Sequence, residues 1–198
     1  MADVTAGPGG GASGRAKRRL FVAVTPSAHA RDLLAAQLDE VTGRAPLPGR
    51  VVPPENWHVT LRFLGWSDEV ARERITAGLD QARLGEGFWV TLRGLGAFPR
   101  PRRATVLWVG VTHGADRLGE LAATVEEAAQ RAGYAPEDRP FVPHVTLSRI
   151  RPHQDVSALV EGARVGPIRF HVGEVVLYES KPGRGGARYE VLERFDLA

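Results

Sequence analysis

The sequence predicts a mixed α+β fold with two related lobes that share one cleft. Two observations support this prediction. Apolar runs of strand length alternate with longer segments of helical spacing. The tetrapeptide His-Val-Thr-Leu at residues 58–61 also occurs again, letter for letter, at residues 144–147. One copy in each half of the chain indicates two lobes, each with a motif strand beside the cleft.

Length and composition describe an ordinary globular protein of 198 residues, with 43% hydrophobic and 25% charged residues. The chain has no cysteine, which excludes disulfides, thiolate zinc sites and cysteine nucleophiles. No apolar run approaches the roughly eighteen residues of a membrane span, and the N-terminus lacks the apolar segment of a signal peptide. We expect a cytoplasmic monomer, with a disordered basic tail over residues 1–18 and a single bilobal domain over residues 19–198.

The first half of the chain predicts the order strand, helix, strand, helix. Residues 20–25 are an apolar, β-branched run typical of a central strand, and a helical pattern opens at Pro26. The Gly- and Pro-rich residues 43–54 indicate a loop. The first motif lies on a strand over residues 57–64, and residues 67–69 begin a helix that ends near Ala82.

The second half predicts two strands, a helix, a strand, a short helix and a hairpin. The strands cover residues 88–95, 104–111 and 141–150, the helices residues 114–132 and about 155–161, and the hairpin residues 170–179 and 188–195. A Gly-rich turn at residues 181–186 joins the two hairpin strands. The second motif lies on the strand over residues 141–150.

The repeated motif predicts two acid–base half-sites. On a strand, His and Thr two residues apart point to the same face. Imidazole titrates near neutrality, so one ring can accept a proton while the other donates one, as phosphodiester cleavage requires. Threonine hydroxyls beside them suit the non-bridging oxygens of a phosphate. The alternative is that Val and Thr simply favour strands and that the histidines are buried and hydrogen-bonded.

Other chemistries find less support in the sequence. A pair of histidines could bind a metal, but there is no third ligand at a suggestive spacing and no His-Glu-x-x-His or Asp-rich motif. There is no Gly-x-Ser-x-Gly elbow, no Walker A loop and no dinucleotide fingerprint. We therefore predict neither a metal nor a cofactor. The pI of 9.8 and the excess of Arg over Lys are compatible with a nucleic-acid partner.

Five segments extend the pattern beyond the motifs. They are RLFVAV at residues 19–24, PPENWHVTLRFLG at 53–65, GLGAFP at 94–99, VLWVG at 106–110 and FVPHVTLSR at 141–149. Together they resemble the two-histidine (2H) phosphoesterases, and among these the RNA 2′,3′-cyclic phosphodiesterases, also called 2′-5′ RNA ligases. The resemblance covers nearly everything after residue 18.

The resemblance implies two pseudo-symmetric antiparallel-sheet lobes with outer helices around a central cleft. It implies hydrolysis of RNA 2′,3′-cyclic phosphate ends to 2′-phosphomonoesters without a metal. His58 is then the proton donor to the leaving 3′ oxygen, and His144 is the proton acceptor that activates water. Thr60 and Thr146 hold the phosphate. In the reverse reaction, the same two histidines could join a 5′-hydroxyl to a cyclic phosphate.

Three further residues are candidates for substrate binding. The resemblance makes Arg149 a phosphate contact, but it lies an odd number of residues from His144 and needs a strand end or a bulge to turn inward. Arg62 has the same parity as His58 and is a candidate from geometry. Phe63 is implied to stack on a base. The alternatives are solvated charges for the arginines and a core position for the phenylalanine.

Three functions remain open at this stage. The first is hydrolysis of RNA 2′,3′-cyclic phosphate ends, with RNA as the partner. The second is a phosphodiesterase for small cyclic phosphates or 2′-5′ oligonucleotides. The third is a non-catalytic RNA-binding module, against which the two intact His-x-Thr pairs argue. Arginine-rich loops at residues 100–103 and 184–188 could guide an RNA backbone.

Overall fold

The computed structural model describes residues 17–183 and 186–198, and its elements follow the predicted order except for two additional strands. The strands are β1 (Arg18–Val24), β2 (Arg50–Val51), β3 (Val59–Ser67), β4 (Phe88–Phe98), β5 (Ala104–His113), β6 (His144–Gln154), β7 (Ile168–Val172), β8 (Glu174–Lys181) and β9 (Arg188–Asp196). The helices are α1 (Ala28–Val41), α2 (Glu69–Asp80), α3 (Ala115–Arg131) and α4 (Ser157–Gly162).

Side-chain caps begin the first two helices. The Ser27 hydroxyl accepts a hydrogen bond from the Ala30 N–H, and the Asp68 carboxylate accepts one from the Ala71 N–H. Each cap satisfies a backbone donor that the first helical turn leaves free. These local signals fix where α1 and α2 start after β1 and β3.

The strands of the described chain form one antiparallel sheet whose order is symmetric about its centre. The order is β7-β4-β5-β6-β3-β1-β8-β9, with β2 added beside β6. The motif strands β3 and β6 are the central neighbours. We call β3, β1, β8 and β9 lobe A, and β6, β5, β4 and β7 lobe B. This arrangement confirms the predicted α+β fold with two pseudo-symmetric lobes.

Helices cover one face of the sheet and connect the two lobes. Helix α3 follows β5 of lobe B but packs on β3 of lobe A, whereas α1 follows β1 of lobe A and packs against β7 of lobe B. Between helices and sheet lies a core of aliphatic side chains, among them Val59, Val145 and Leu118, all fully buried. The functional side chains must therefore lie on the other face.

The predicted strand over residues 170–179 is wrong, because the chain breaks it at Gly173. Residues before the break form β7, which pairs with β4 at one edge of the sheet. Residues after it form β8, which pairs with β1 in the other lobe. Both pieces have the apolar pattern of a strand, so the pattern alone does not show that the chain passes from one lobe to the other between them. Residues 50–51, predicted as loop, form β2.

The predicted tail and turn lie partly outside the described residues, which exclude 1–16 and 184–185. β1 begins at Arg18, one residue before the predicted start of the domain. The Arg18 guanidinium donates to Glu179 of β8 at 3.1 Å, which ties the start of β1 to its neighbouring strand. No helix in the described ranges has the length and apolar character to cross a membrane.

Candidate active site

The two motifs meet where β3 and β6 pair. The antiparallel ladder joins Val59 to Val145. In an antiparallel pair, the residue before one partner faces the residue after the other. His58 therefore lies across from Thr146, and Thr60 lies across from His144. Since both valines point into the core, the two imidazoles and the two hydroxyls share the opposite face.

Both histidines are oriented by the same kind of hydrogen bond. The Nδ1 of His58 lies 2.7 Å from the carbonyl oxygen of Asn56, and the Nδ1 of His144 lies 2.6 Å from the carbonyl oxygen of Val142. A carbonyl only accepts, so Nδ1 carries the proton in each ring. The Nε2 of each ring is then the atom that can take or give a proton.

Aromatic rings from lobe A surround His58. Phe21 of β1 lies 4.8 Å from the imidazole, and Tyr189 of β9 meets it edge-on at 5.2 Å, between ring centroids. The Asn56 side chain donates to the Ala187 carbonyl oxygen at 2.8 Å, so the residue that orients His58 also anchors the start of β9. No local sequence signal marks this contact, because its partners lie 131 residues apart.

Lobe B supplies a different aromatic wall for His144. Phe98 lies edge-on at 5.0 Å and Trp108 at 5.9 Å, again between ring centroids. The indole rests directly on Gly96, where an added Cβ would come within 2.1 Å of the ring. A glycine in a strand is the sequence signal for such a close approach. Neither aromatic was among the predicted site residues.

A bulge in β6 brings Arg149 to the cleft. Against β5, the register of β6 shifts by one residue between Thr146 and Ser148. Consequently Leu147 and Ser148 both face the core, each 0% exposed, and Arg149 returns to the cleft face, where it is exposed. The structure thus contains the bulge that the parity of Arg149 required.

β3 has a bulge at the corresponding position, and it overturns the geometric prediction for Arg62. Against β1, the register shifts between Thr60 and Arg62. Leu61 and Arg62 are therefore both buried, whereas Phe63 turns to the cleft face with 41% exposure. Strand parity placed Arg62 beside His58; the bulge sends its side chain to the helix-covered face instead.

Buried Arg62 pairs with acidic residues away from the histidines. Its guanidinium bonds to Glu126 of α3 and to the Ala135 carbonyl oxygen, and it lies 3.6 Å from Glu137. Glu137 accepts two side-chain hydrogen bonds from Arg139, both 2.8 Å, and these lower the pKa of the carboxyl to about 2. Arg62 therefore supports the segment that presents Arg139 to the cleft.

The cleft beside His58 is large and basic. It has a volume of about 1370 Å³, above the roughly 300–1,000 Å³ of most small-molecule sites. Six arginines line it within the described chain, against two glutamates: Arg19, Arg50, Arg139, Arg149, Arg151 and Arg188, with Glu55 and Glu190. Of the predicted guiding loops, Arg188 lines the cleft, residues 100–103 do not, and Arg184 lies outside the described residues.

Residues 18–184 match the family model of the 2′-5′ RNA ligase superfamily. The chain belongs to this family. This confirms the resemblance that the motif segments carry.

Curated relatives and solved structures agree with that membership. The RNA 2′,3′-cyclic phosphodiesterase of Aeropyrum pernix is 39% identical over 161 residues, which cover 79% of this chain and 91% of the relative. The enzyme of that name from Escherichia coli is 35% identical over 186 residues, 91% of this chain and 97% of the relative. The crystal structure of E. coli LigT complexed with 3′-AMP matches with a TM-score of 0.76 and 31% identity, over 91% of this chain and 98% of LigT.

The histidines of this 2′-5′ RNA ligase superfamily member are tuned toward the neutral form. Burial, together with the charges of Arg149 and His144, lowers the pKa of His58 to about 4, although the hydrogen bond to the Asn56 carbonyl raises it. Burial and then Arg149 also lower the pKa of His144, against the Val142 carbonyl. A negative phosphate between the rings would oppose both effects.

Metal ligands do not cluster in the described part of the chain. No three His, Asp, Glu or Cys side chains come together there in a way that could hold an ion. The arrangement that does exist is two imidazoles, two hydroxyls and the arginines of the cleft. It can bind a phosphodiester anion and move protons on either side of it.

Proposed function

We propose that this protein hydrolyses RNA 2′,3′-cyclic phosphate ends to 2′-phosphomonoesters by metal-independent acid–base catalysis. The observation that carries the proposal is the antiparallel pairing of Val59 with Val145. This pairing places the two His-x-Thr half-sites side by side on one face of the sheet. Family membership supplies the substrate class, since the curated relatives are named RNA 2′,3′-cyclic phosphodiesterases.

In the proposed reaction, the phosphate lies between the two half-sites. Thr60 and Thr146 donate hydrogen bonds to its non-bridging oxygens, and these bonds strengthen as charge builds in the transition state. The Nε2 of His144 takes a proton from water, whose oxygen forms a new bond to phosphorus. The bond from phosphorus to the 3′ oxygen breaks, and His58 gives its proton to that oxygen. The product keeps a 2′-phosphate.

Phe63 and Arg149 bind the rest of the terminal nucleotide in this proposal. Phe63 presents an exposed ring on which a base can stack. Arg149 lines the cleft beside His58, acts electrostatically on both histidines, and offers a planar pair of donors to a phosphate. Arg62 has no such role, because its guanidinium is buried among α3 and the segment after it.

The size and charge of the cleft favour RNA over the smaller alternatives. A small cyclic phosphate would fill only part of about 1370 Å³ and would leave most of the six arginines without an anion. A 2′-5′ oligonucleotide remains a second candidate substrate, because its cleavage is the ligation reaction reversed. We further propose that the protein works as a monomer in the cytoplasm, which size-exclusion chromatography and cell fractionation test.

One end-group assay tests the proposal. An RNA oligonucleotide ending in a 2′,3′-cyclic phosphate is incubated with the protein in EDTA, and the terminal phosphate is located. We expect a 2′-phosphate, abolished in His58→Ala and in His144→Ala. His153→Ala is the matched control, since His153 is an exposed histidine of the same strand β6.

Each part of the proposal can fail separately in that assay. A 3′-phosphate product would contradict the assigned leaving oxygen, and loss of activity in EDTA would contradict metal independence. Full activity in either motif variant would refute the two-histidine mechanism. Tight binding of the RNA with no product would identify the protein as a binding module.

A further inference from the structure

The strands of the two lobes differ sharply in charge. β4, β5, β6 and β7 of lobe B contain no aspartate or glutamate. β8 and β9 of lobe A contain five: Glu174, Glu179, Glu190, Glu193 and Asp196. The cations of lobe B strands are Arg93, Arg149, Arg151 and Arg169, beside four of the six histidines of the chain, His113, His144, His153 and His171.

An exposed aromatic lies at the outer end of lobe B. Trp89 of β4 is 51% exposed, on the face opposite the core residues Val90 and Leu92. The guanidinium carbon of Arg169 lies 5.1 Å from the Trp89 ring centroid, and His171 meets the same ring edge-on at 5.4 Å. An exposed ring beside an arginine is a platform on which bases of single-stranded nucleic acid can stack.

This platform shares its sheet face with the catalytic histidine of lobe B. On β5, Gly110 lies opposite His144 and Leu92 of β4 lies opposite the next residue, Val111. Two strand spacings and about four residues along β4 separate Trp89 from His144, on the order of 15 Å over the sheet surface. An oligonucleotide of a few nucleotides can span that distance.

The reaction geometry places the attacking group on the lobe B side. In an in-line displacement, the entering and leaving oxygens lie on opposite sides of phosphorus. In the proposed mechanism, His58 protonates the leaving oxygen, and its aromatic surroundings come from lobe A. His144 accepts the proton of the attacking group and belongs to β6 of lobe B. In hydrolysis that group is water; in ligation it is the 5′-hydroxyl of a second RNA strand.

We propose that the exposed face of lobe B, built on Trp89, Arg169 and Arg93, binds the RNA strand whose 5′-hydroxyl replaces water. This inference rests on the proposed function and its assignment of His58 and His144. The 5′ oxygen bonds to phosphorus as the bond to the 3′ oxygen breaks, its proton passes to His144, and the proton of His58 goes to the 3′ oxygen. The product has a 2′-5′ linkage and a free 3′-hydroxyl.

Charge identifies the occupant of this face as RNA. Four strands without a carboxylate, with Arg93 and Arg169 on exposed positions, complement a phosphate backbone. The outer end of lobe A differs, because two of its cations are paired with carboxylates, Arg194 with Glu174 and Lys181 with Glu190. Because β4, β5, β6 and β7 contain no carboxylate, no residue of these strands neutralises the cations beside Trp89.

Two reactions with the same catalytic groups test the inference. The first is hydrolysis of a 2′,3′-cyclic mononucleotide, which needs no second strand. The second is formation, and in reverse cleavage, of a 2′-5′ linkage between a cyclic-phosphate RNA and a 5′-hydroxyl oligonucleotide. We expect Trp89→Ala, through loss of one base stack, and Arg169→Glu, through a negative charge beside the RNA backbone, each to lower the second reaction about tenfold and to leave the first unchanged.

Matched variants in lobe A serve as controls. Trp66→Ala removes a tryptophan of β3 that is 64% exposed, and Arg194→Glu reverses a charge on β9. Both should keep the wild-type ratio of ligation to hydrolysis. Trp89→Phe keeps an aromatic ring and should retain most of the ligation, which separates loss of stacking from misfolding.

Several outcomes would overturn the inference. Equal losses in both reactions, or none in either, would refute it. So would loss of activity on long cyclic-phosphate RNA at a constant ratio of ligation to hydrolysis, because the face would then hold the donor strand. A shift in sedimentation with unchanged ligation would assign the face to a protein partner. A wild type that opens cyclic phosphates yet neither forms nor cleaves 2′-5′ linkages refutes this inference alone; one that opens none refutes the proposed function.

Discussion

The half-site on β3 and the half-site on β6 are alike up to their bulges and differ after them. Each offers a histidine, a buried valine and a threonine, and each ring is held by a carbonyl two residues before it. After the bulge, β3 presents the Phe63 ring to the cleft, whereas β6 presents the Arg149 guanidinium. Identical tetrapeptides thus make the two half-sites alike, and the residue after each bulge makes them different.

The surroundings of the two rings extend this difference. His58 lies deeper, against Phe21 and Tyr189, and its pKa falls to about 4. His144 lies against Phe98 and Trp108. The two rings therefore have different neighbours, although burial and the charge of Arg149 lower the pKa of both. Four measurements test this difference between the half-sites.

The largest expected effect separates the roles of the two histidines. On a cyclic-phosphate RNA, His58→Ala and His144→Ala should each lower kcat by about 10²–10⁴, the usual contribution of a general acid or base. A nucleotide p-nitrophenyl phosphodiester has a leaving group that needs no proton. If His58 is the acid, His58→Ala should recover most of its activity on that substrate and His144→Ala should not.

The double variant provides the control for that comparison. Since the two histidines act as one unit, removing both should cost little more than removing one. Recovery in His144→Ala instead of His58→Ala would exchange the two roles. Equal recovery in both would show that the half-sites are functionally symmetric despite Phe63 and Arg149.

The residues at the fourth position after each histidine predict a difference in stability. Arg62→Met leaves Glu126 and Glu137 without their buried cation and should lower the free energy of unfolding by about 2 kcal/mol. That is less than the about 3–5 kcal/mol of a fully buried pair, because these carboxylates remain 21% and 25% exposed. The counterpart Ser148→Ala removes a buried hydroxyl without a partner in the described chain and should be nearly neutral.

Chemical denaturation of the two variants at the same pH checks this prediction. A small loss for Arg62→Met would mean that the guanidinium does not hold α3 against β3. A large loss for Ser148→Ala would mean that its hydroxyl has a hydrogen-bond partner. Either result would remove the structural contrast between the two strands beyond their bulges.

Arg62 also shows where inference from the sequence stops. Alternation along a strand placed the histidine and threonine of each motif correctly, because the first three residues of each motif lie before the bulge. One extra residue then reversed the parity, so the side chain of Arg62 left the cleft face and that of Phe63 reached it. The sequence required a bulge at Arg149 only because the family resemblance placed that residue at the phosphate.

The same limit appears in the fold. Apolar periodicity located the helices and most strands, since each element buries one side locally. The same periodicity predicted β7 and β8 as one strand, because both are half-buried strands and only Gly173 separates them. Contacts such as Asn56 with Ala187 depend on which strands become neighbours, and no local pattern contains that information.

Phe63 and Arg149 predict different kinds of substrate contact. Phe63→Leu should raise KM for RNA about tenfold through loss of a base stack, and it should leave the salt dependence unchanged. Arg149→Gln should instead lower the slope of log(kcat/KM) against log salt concentration by about one unit, as loss of one phosphate contact does. A salt series on one RNA substrate measures both. A reduced slope in Phe63→Leu, or an unchanged slope in Arg149→Gln, would contradict this division of contacts.

The smallest effect is a change in pKa, and it bears on how the proton donor acquires its proton. A cation beside an imidazole disfavours the protonated ring, so the charge of Arg149 lowers the pKa of both histidines. Arg149→Gln should therefore raise both pKa values, whereas Phe63→Leu, which removes no charge, should move neither.

Imidazole NMR titration of the free protein should find that His58 titrates near pH 4, and added inorganic phosphate should raise the pKa of His58. A His58 that titrates near its ordinary value of 6.5 in the free wild type would contradict this account. If the prediction holds, the free enzyme keeps His58 neutral at physiological pH and the phosphate anion itself charges the donor, so that the acid is formed where the leaving oxygen lies.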